Sequence, residues 1–95
     1  MTEQAKRIEA QVAAAALGAE LMQPMPPFWY RSEYERTDGS WQIVAVDRLN
    51  YSSKGWPQRL DYEASATQAT RAEAHRLCRE QAWAKHRKNT EGSNA

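Results

Sequence analysis

The sequence predicts an α+β fold of order α-β-β-β-α: a three-stranded antiparallel sheet with an N-terminal and a C-terminal helix, both on one face. Three observations lead there. Apolar residues recur at helical spacing before residue 23. Asp38-Gly39 sits between two runs of alternating aromatic and polar residues. An alanine-rich stretch of helical period follows residue 65. The 95 residues suit one domain with a modest core, and 41% hydrophobic with 26% charged residues excludes wholesale disorder. The expected layout is a single domain, 1–95, with a helix over 1–23, a sheet over 28–63, a helix over 65–88 and a flexible tail over 89–95.

In the first segment Ile8, Val12, Ala15, Ala19 and Met22 follow one another at spacings of four, three, four and three, which puts them on one stripe. Thr2 is placed to cap the helix, and Glu3 complements the positive end of its dipole. Ala10, Ala14, Leu17 and Leu21 make the opposite side apolar as well. Such a helix needs two neighbours: the sheet and the other helix, or a second copy of the chain in a homodimer. Pro24, Pro26 and Pro27 end it, because proline lacks a donor and the residue before it avoids the helical region.

Asp38-Gly39 then predicts a two-residue type I′ hairpin loop. That turn sets Tyr34 opposite Ile43, Ser32 opposite Ala45 and Tyr30 opposite Asp47. Phe28, Tyr30, Tyr34, Trp41, Ile43 and Ala45 share the core face. Trp29, Arg31, Glu33, Glu35, Gln42, Val44, Val46 and Arg48 share the other. Residues 49–57 read as a loop, and a third strand is expected over about Gln58 to Glu63, with Leu60 and Tyr62 inward. Charges on the outer face would be costly under a helix, so both helices are expected on the aromatic face. Ser65 with Gln68 offers a capping box for the last helix, and Thr70 with Glu73 a later start. Its inward arc is read as Ala66, Ala69, Thr70, Ala74, Leu77, Cys78, Gln81 and Ala84.

No catalytic set is present. Glu33 and Glu35 lie two residues apart on an open strand face, where nothing shifts a carboxylate for acid/base work. His75 and Cys78 are three apart, but a structural zinc site needs about four ligands and the chain has one cysteine and two histidines. There is no Gly-rich phosphate loop, Ser-His-Asp arrangement or redox cysteine pair. We therefore expect no enzyme, no metal and no cofactor. The lone cysteine forms no internal disulfide and no apolar run spans a bilayer, so a soluble, cytoplasmic protein without membrane partners is expected.

Two surfaces are candidates for binding. On the sheet's outer face Trp29, Val44 and Val46 form an apolar island rimmed by Arg31, Glu33, Glu35 and Arg48, which suits the surface of a partner protein. A small inhibitor or regulator is the leading expectation. The second surface is basic. Net charge is only +1, distributed as −1 over residues 1–27, −1 over 28–63 and +3 over 64–95. Arg71, His75, Arg79, Lys85 and Arg87 make a ridge on the last helix that could follow phosphates, with Tyr51, Lys54 and Trp56 offering stacking from the loop. A third expectation, an oligomeric structural component, rests on the two-sided first helix.

The α-β-β-β-α order resembles that of double-stranded RNA-binding domains, which hold RNA through the first helix, the loop between the first two strands and the start of the last helix. Here Ser65-Ala-Thr-Gln-Ala-Thr-Arg71 stands where that family carries a Lys-Lys-x-x-Lys type cluster, and Asp38-Gly39 supplies no histidine for a minor groove. The resemblance implies the topology. The small, aromatic-rich, cofactor-free make-up is also similar in style to phage-encoded inhibitors of host defence, which implies a protein partner.

Overall fold

A computed structural model describes residues 2–51, 55 and 58–92. Helix α1 (Glu3–Leu21) leads into β1 (Phe28–Glu35) and β2 (Trp41–Asp47). A 3₁₀ turn (Gln58–Tyr62) precedes β3 (Glu63–Gln68), and α2 (Arg71–Gly92) follows. The strands form one antiparallel sheet in the order β1-β2-β3. The α+β class and the α-β-β-β-α order are as expected.

The core lies between the sheet and α2. Ile43, Ala45 and Ala64 are fully buried against Ala74, Cys78 and Ala82, with Phe28, Met25, Trp41 and Ala66 around them. The three helical residues are spaced by four and so form one row. Their small size lets the helix lie close on the alanines of β2 and β3. The Cys78 thiol points at the Ala64 carbonyl, 3.6 Å away, and burial pushes its pKa up to about 11.

That close approach explains where the third strand falls. Leu60 and Tyr62, expected to point inward from a strand over 58–63, instead occupy the 3₁₀ turn, while Ala64 and Ala66 face α2 from β3. Only small side chains fit there. Ser65 and Thr67, expected to start the last helix, are strand residues paired with Val44 and Gln42. The later start is the one used: Thr70 Oγ1 accepts a hydrogen bond from the Glu73 amide at 3.3 Å. The helix then continues through residues 89–92, which the composition assigns to a tail; residues 93–95 lie outside the described residues.

The hairpin departs from the expected register twice. The loop has three residues, Thr37-Asp38-Gly39, closed by Arg36 N–H donating to the Ser40 carbonyl at 2.7 Å and Gly39 N–H to the Arg36 carbonyl at 3.0 Å. Gly39 alone has a positive φ, 87°. Asp38 stays right-handed and uses its carboxylate to accept from the Ser40 amide and hydroxyl, at 2.9 and 2.6 Å. This is a type I turn followed by a left-handed glycine, the usual three-residue loop. It shifts pairing by one, so Glu33 faces Ile43 and Tyr34 faces Gln42. A bulge at Arg31 shifts it by one more, and Tyr30 then faces Ala45. Two odd shifts restore the original parity. Phe28 and Tyr30 are therefore on the helix side as expected, whereas Tyr34 exchanges faces with Glu33 and Glu35.

The expected burial of α1 on two sides does not occur. Thr2 Oγ1 caps it by accepting from the Ala5 amide at 3.2 Å, and it packs against α2, yet no residue of it is buried. Ile8 and Val12 are 54% and 64% exposed. The molecule measures 57 × 26 × 15 Å, and its radius of gyration, 15.8 Å, exceeds the roughly 12 Å of a compact chain this long.

Candidate binding surfaces

Three rows of side chains run along α2, and each has its own task. The row Ala74, Cys78, Ala82 makes the core. The row Arg71, His75, Arg79, Trp83 turns toward β1 and α1. The Glu33 carboxylate takes Arg71 on one oxygen and His75 Nε2 on the other. His75 is buried, with Tyr30 edge-on at 4.9 Å, and the Arg71 guanidinium lies 5.4 Å from the centre of the Trp41 ring. Arg79 Nη2 meets Glu20 at 2.9 Å, and Trp83 Nε1 donates to the Pro24 carbonyl at 2.9 Å, which ties down the end of α1. Burial alone would raise the pKa of Glu33. The hydrogen bonds and charges of His75 and Arg71 outweigh that and hold the carboxyl below its ordinary range.

The third row is Gln81, Lys85 and Asn89. Gln81 Oε1 accepts from the Ser65 amide at 2.8 Å, Lys85 Nζ donates to the Leu60 and Glu63 carbonyls at 2.8 and 2.6 Å, and Asn89 Nδ2 to the Asp61 carbonyl at 3.2 Å. Gln81 and Lys85 thereby occupy backbone groups of β3, an edge strand that would otherwise invite another strand, and Lys85 and Asn89 hold the 3₁₀ turn before it.

The basic ridge expected to follow phosphates is therefore engaged within the chain. Arg71, His75, Arg79 and Lys85 all have internal partners. Of the five, Arg87 is exposed and pairs with no described residue. Tyr51 accepts a hydrogen bond from Arg31 at 2.6 Å and lies under the Arg31 and Arg59 guanidiniums. Lys54 and Trp56 lie outside the described residues.

The sheet patch is also rearranged. Trp29 is 61% exposed on the face away from α2, opposite Val46 rather than Arg48. Val44 and Val46, expected in water, are only 7% and 5% exposed. Arg31, at the bulge, joins Tyr51 to Glu63, at 3.3 Å from the latter. Glu33 and Glu35 belong to the opposite face, and Arg48 sits beyond β2, its amide donating to the Pro27 carbonyl. The seven residues do not form one surface. In their place Ser32, Tyr34 and Gln42 share the outward face with Trp29. The Tyr34 hydroxyl and Arg36 Nη1 both donate to Gln42 Oε1, at 2.5 and 3.2 Å. The three-residue loop moves Tyr34 to this face, and Asp38-Gly39 read alone does not distinguish that loop from the two-residue turn.

No protein-family model matches this chain, and no curated protein or solved structure matches it either. Among the described residues no group of three His, Cys, Asp or Glu could hold a metal ion, and no helix is long and apolar enough to cross a membrane.

A second unfinished surface runs along α1. Ile8, Val12, Ala16 and Leu17 form one wall of an open apolar groove of about 760 Å³, with Trp41 and Ala72 on the other side. Ile8 and Val12 of this wall belong to the stripe legible in the sequence, whereas the periodicity sets Leu17 on the opposite side.

Proposed function

We propose that this chain is a non-enzymatic binding protein that acts by occupying the surface of a partner protein, as an inhibitor or regulator, with Trp29 as its anchor. The observation that carries this reading is the exposure of Trp29, 61%, on a strand of the sheet where its cross-strand neighbour Val46 is buried. A large aromatic held on a rigid sheet loses little entropy on docking and is the residue type that dominates protein interfaces. Tyr34, Gln42 and Arg36 are already hydrogen-bonded to one another and supply a polar rim beside it.

A protein partner is favoured over a nucleic acid because Arg71, His75, Arg79 and Lys85 are engaged internally. Phosphate contacts would have to replace those partners rather than add to them. The test is titration of a partner, isolated from the native host and purified, against the wild type and Trp29→Ala. Loss of an anchor worth about 2 kcal/mol or more weakens binding about thirtyfold. Equal affinity of the two proteins would remove Trp29 from the interface and this reading with it.

A further inference from the structure

We infer that α1 is a self-association surface and pairs antiparallel with α1 of a second copy. The outward stripe of α1 reads Ile8, Val12, Ala15, Ala19: two large residues, then two small ones, at coiled-coil spacing. An antiparallel partner set about a point between Ala13 and Ala14 matches these opposites. Ile8 packs on Ala19 of the second copy, and Val12 on Ala15. A parallel partner would oppose Ile8 to Ile8 and leave a gap at the alanines, which close packing penalises.

In such an antiparallel pair the helix dipoles oppose. Ile8 and Val12 are more than half exposed, no residue of α1 is buried, and the groove beside the stripe is open to receive a second helix. The helix is about 28 Å long. Close packing over that length, with the groove wall, covers on the order of 600 Å² per copy, the lower end for specific complexes. The dimer is therefore expected to dissociate in the micromolar range. Trp29 lies on the face of the sheet away from α2, so this interface leaves the proposed anchor free.

The test is the solution mass of the whole chain over a concentration series. The wild type rises from the monomer to twice that mass, while Val12→Glu and Ile8→Glu remain monomeric with unchanged helical circular dichroism; both sites are exposed, so the fold tolerates them. Orientation is read by mixing Ile8→Cys chains with Ala19→Cys chains, whose like positions lie about 16 Å apart along an antiparallel pair, and adding a short bismaleimide. Cys78 is buried and does not compete. Predominant cross-links between the introduced thiol of one chain type and that of the other support the antiparallel pair. A monomer at every concentration, a dimer that survives Val12→Glu, or cross-links only within each chain type overturn it. Trp29→Ala dimerises like the wild type, so the two readings fail independently.

Discussion

α1 and α2 are of similar length, 19 and 22 residues, and both are rich in alanine, yet α2 is held on three sides and α1 on one. Alanine content alone does not decide this. It sets helix propensity and permits close approach, but a helix is fixed in place by what its flanking side chains find. Beside its alanine row α2 carries Arg71, His75, Arg79 and Trp83 on one flank and Gln81, Lys85 and Asn89 on the other. Each meets a carboxylate, a carbonyl or an amide of another element. On α1 the ties are at its C-terminal end, where Glu20 meets Arg79 and the Pro24 carbonyl meets Trp83. Its apolar stripe is left exposed.

The same substitution in the two regions separates them most widely. Ile43→Ala empties a site that is 0% exposed beneath α2 and is expected to cost about 2–5 kcal/mol in chemical denaturation. Ile8→Ala, at 54% exposure, is expected to cost under about 0.5 kcal/mol in the monomer. Similar losses at both sites would mean that α1 is as firmly packed as the sheet, contrary to its exposure.

A smaller effect is expected at Glu33, where β1 meets the polar flank of α2. Glu33→Gln removes the charge that Arg71 and buried His75 share, and is expected to cost about 1–3 kcal/mol. Folding lowers the Glu33 pKa from its ordinary value of 4.5, so near that pH the unfolded chain binds more protons than the folded one. Its contribution is complete above the unfolded value and is lost as pH falls through the lower folded value. Denaturation midpoints taken from pH 6 downward should decline in the wild type. In Glu33→Gln that part of the decline should be missing. Parallel profiles would show that the carboxylate is not linked to folding.

What the sequence reveals and what it hides divide along the same line. The helical stripe of α1, its Thr2 cap, its proline stop and the helix-facing alternation of β2 all follow from local periodicity, which one segment carries by itself. The bulge at Arg31 does not. There Arg31 meets Tyr51 and Glu63, partners 20 and 32 residues away that no local pattern reveals. The position of β3 is hidden for a similar reason: Ala64 to Gln68 has the composition of a helix start, and only the need for small residues beneath Ala74, Cys78 and Ala82 makes it a strand. At the candidate surfaces Trp29 stands out from sequence, whereas Tyr34 comes into view only after the shift in register. Of the expected basic ridge Arg71, His75 and Arg79 share one row while Lys85 lies on the other flank, and spacing does not reveal that Glu33 and Glu20 lie opposite that row.

The smallest expected effect probes whether α1 is an independent unit. Gly18 sits inside the helix with ordinary helical backbone, and a methyl group added there meets nothing within 4 Å. Gly18→Ala should therefore stabilise the helix by about 0.5–1 kcal/mol through the reduced freedom of the unfolded chain. On the helical wheel Gly18 lies opposite the centre of the groove wall, so the change leaves the groove untouched. If α1 unfolds together with the sheet, the global denaturation midpoint rises. If α1 frays separately, the gain shows only in hydrogen-exchange protection of α1 amides, and the midpoint measured from the core stays where it is. The second outcome is expected for the dilute monomer, because α1 contributes no buried residue to the core. At concentrations where copies pair, protection of α1 should increase further in both proteins by the same factor.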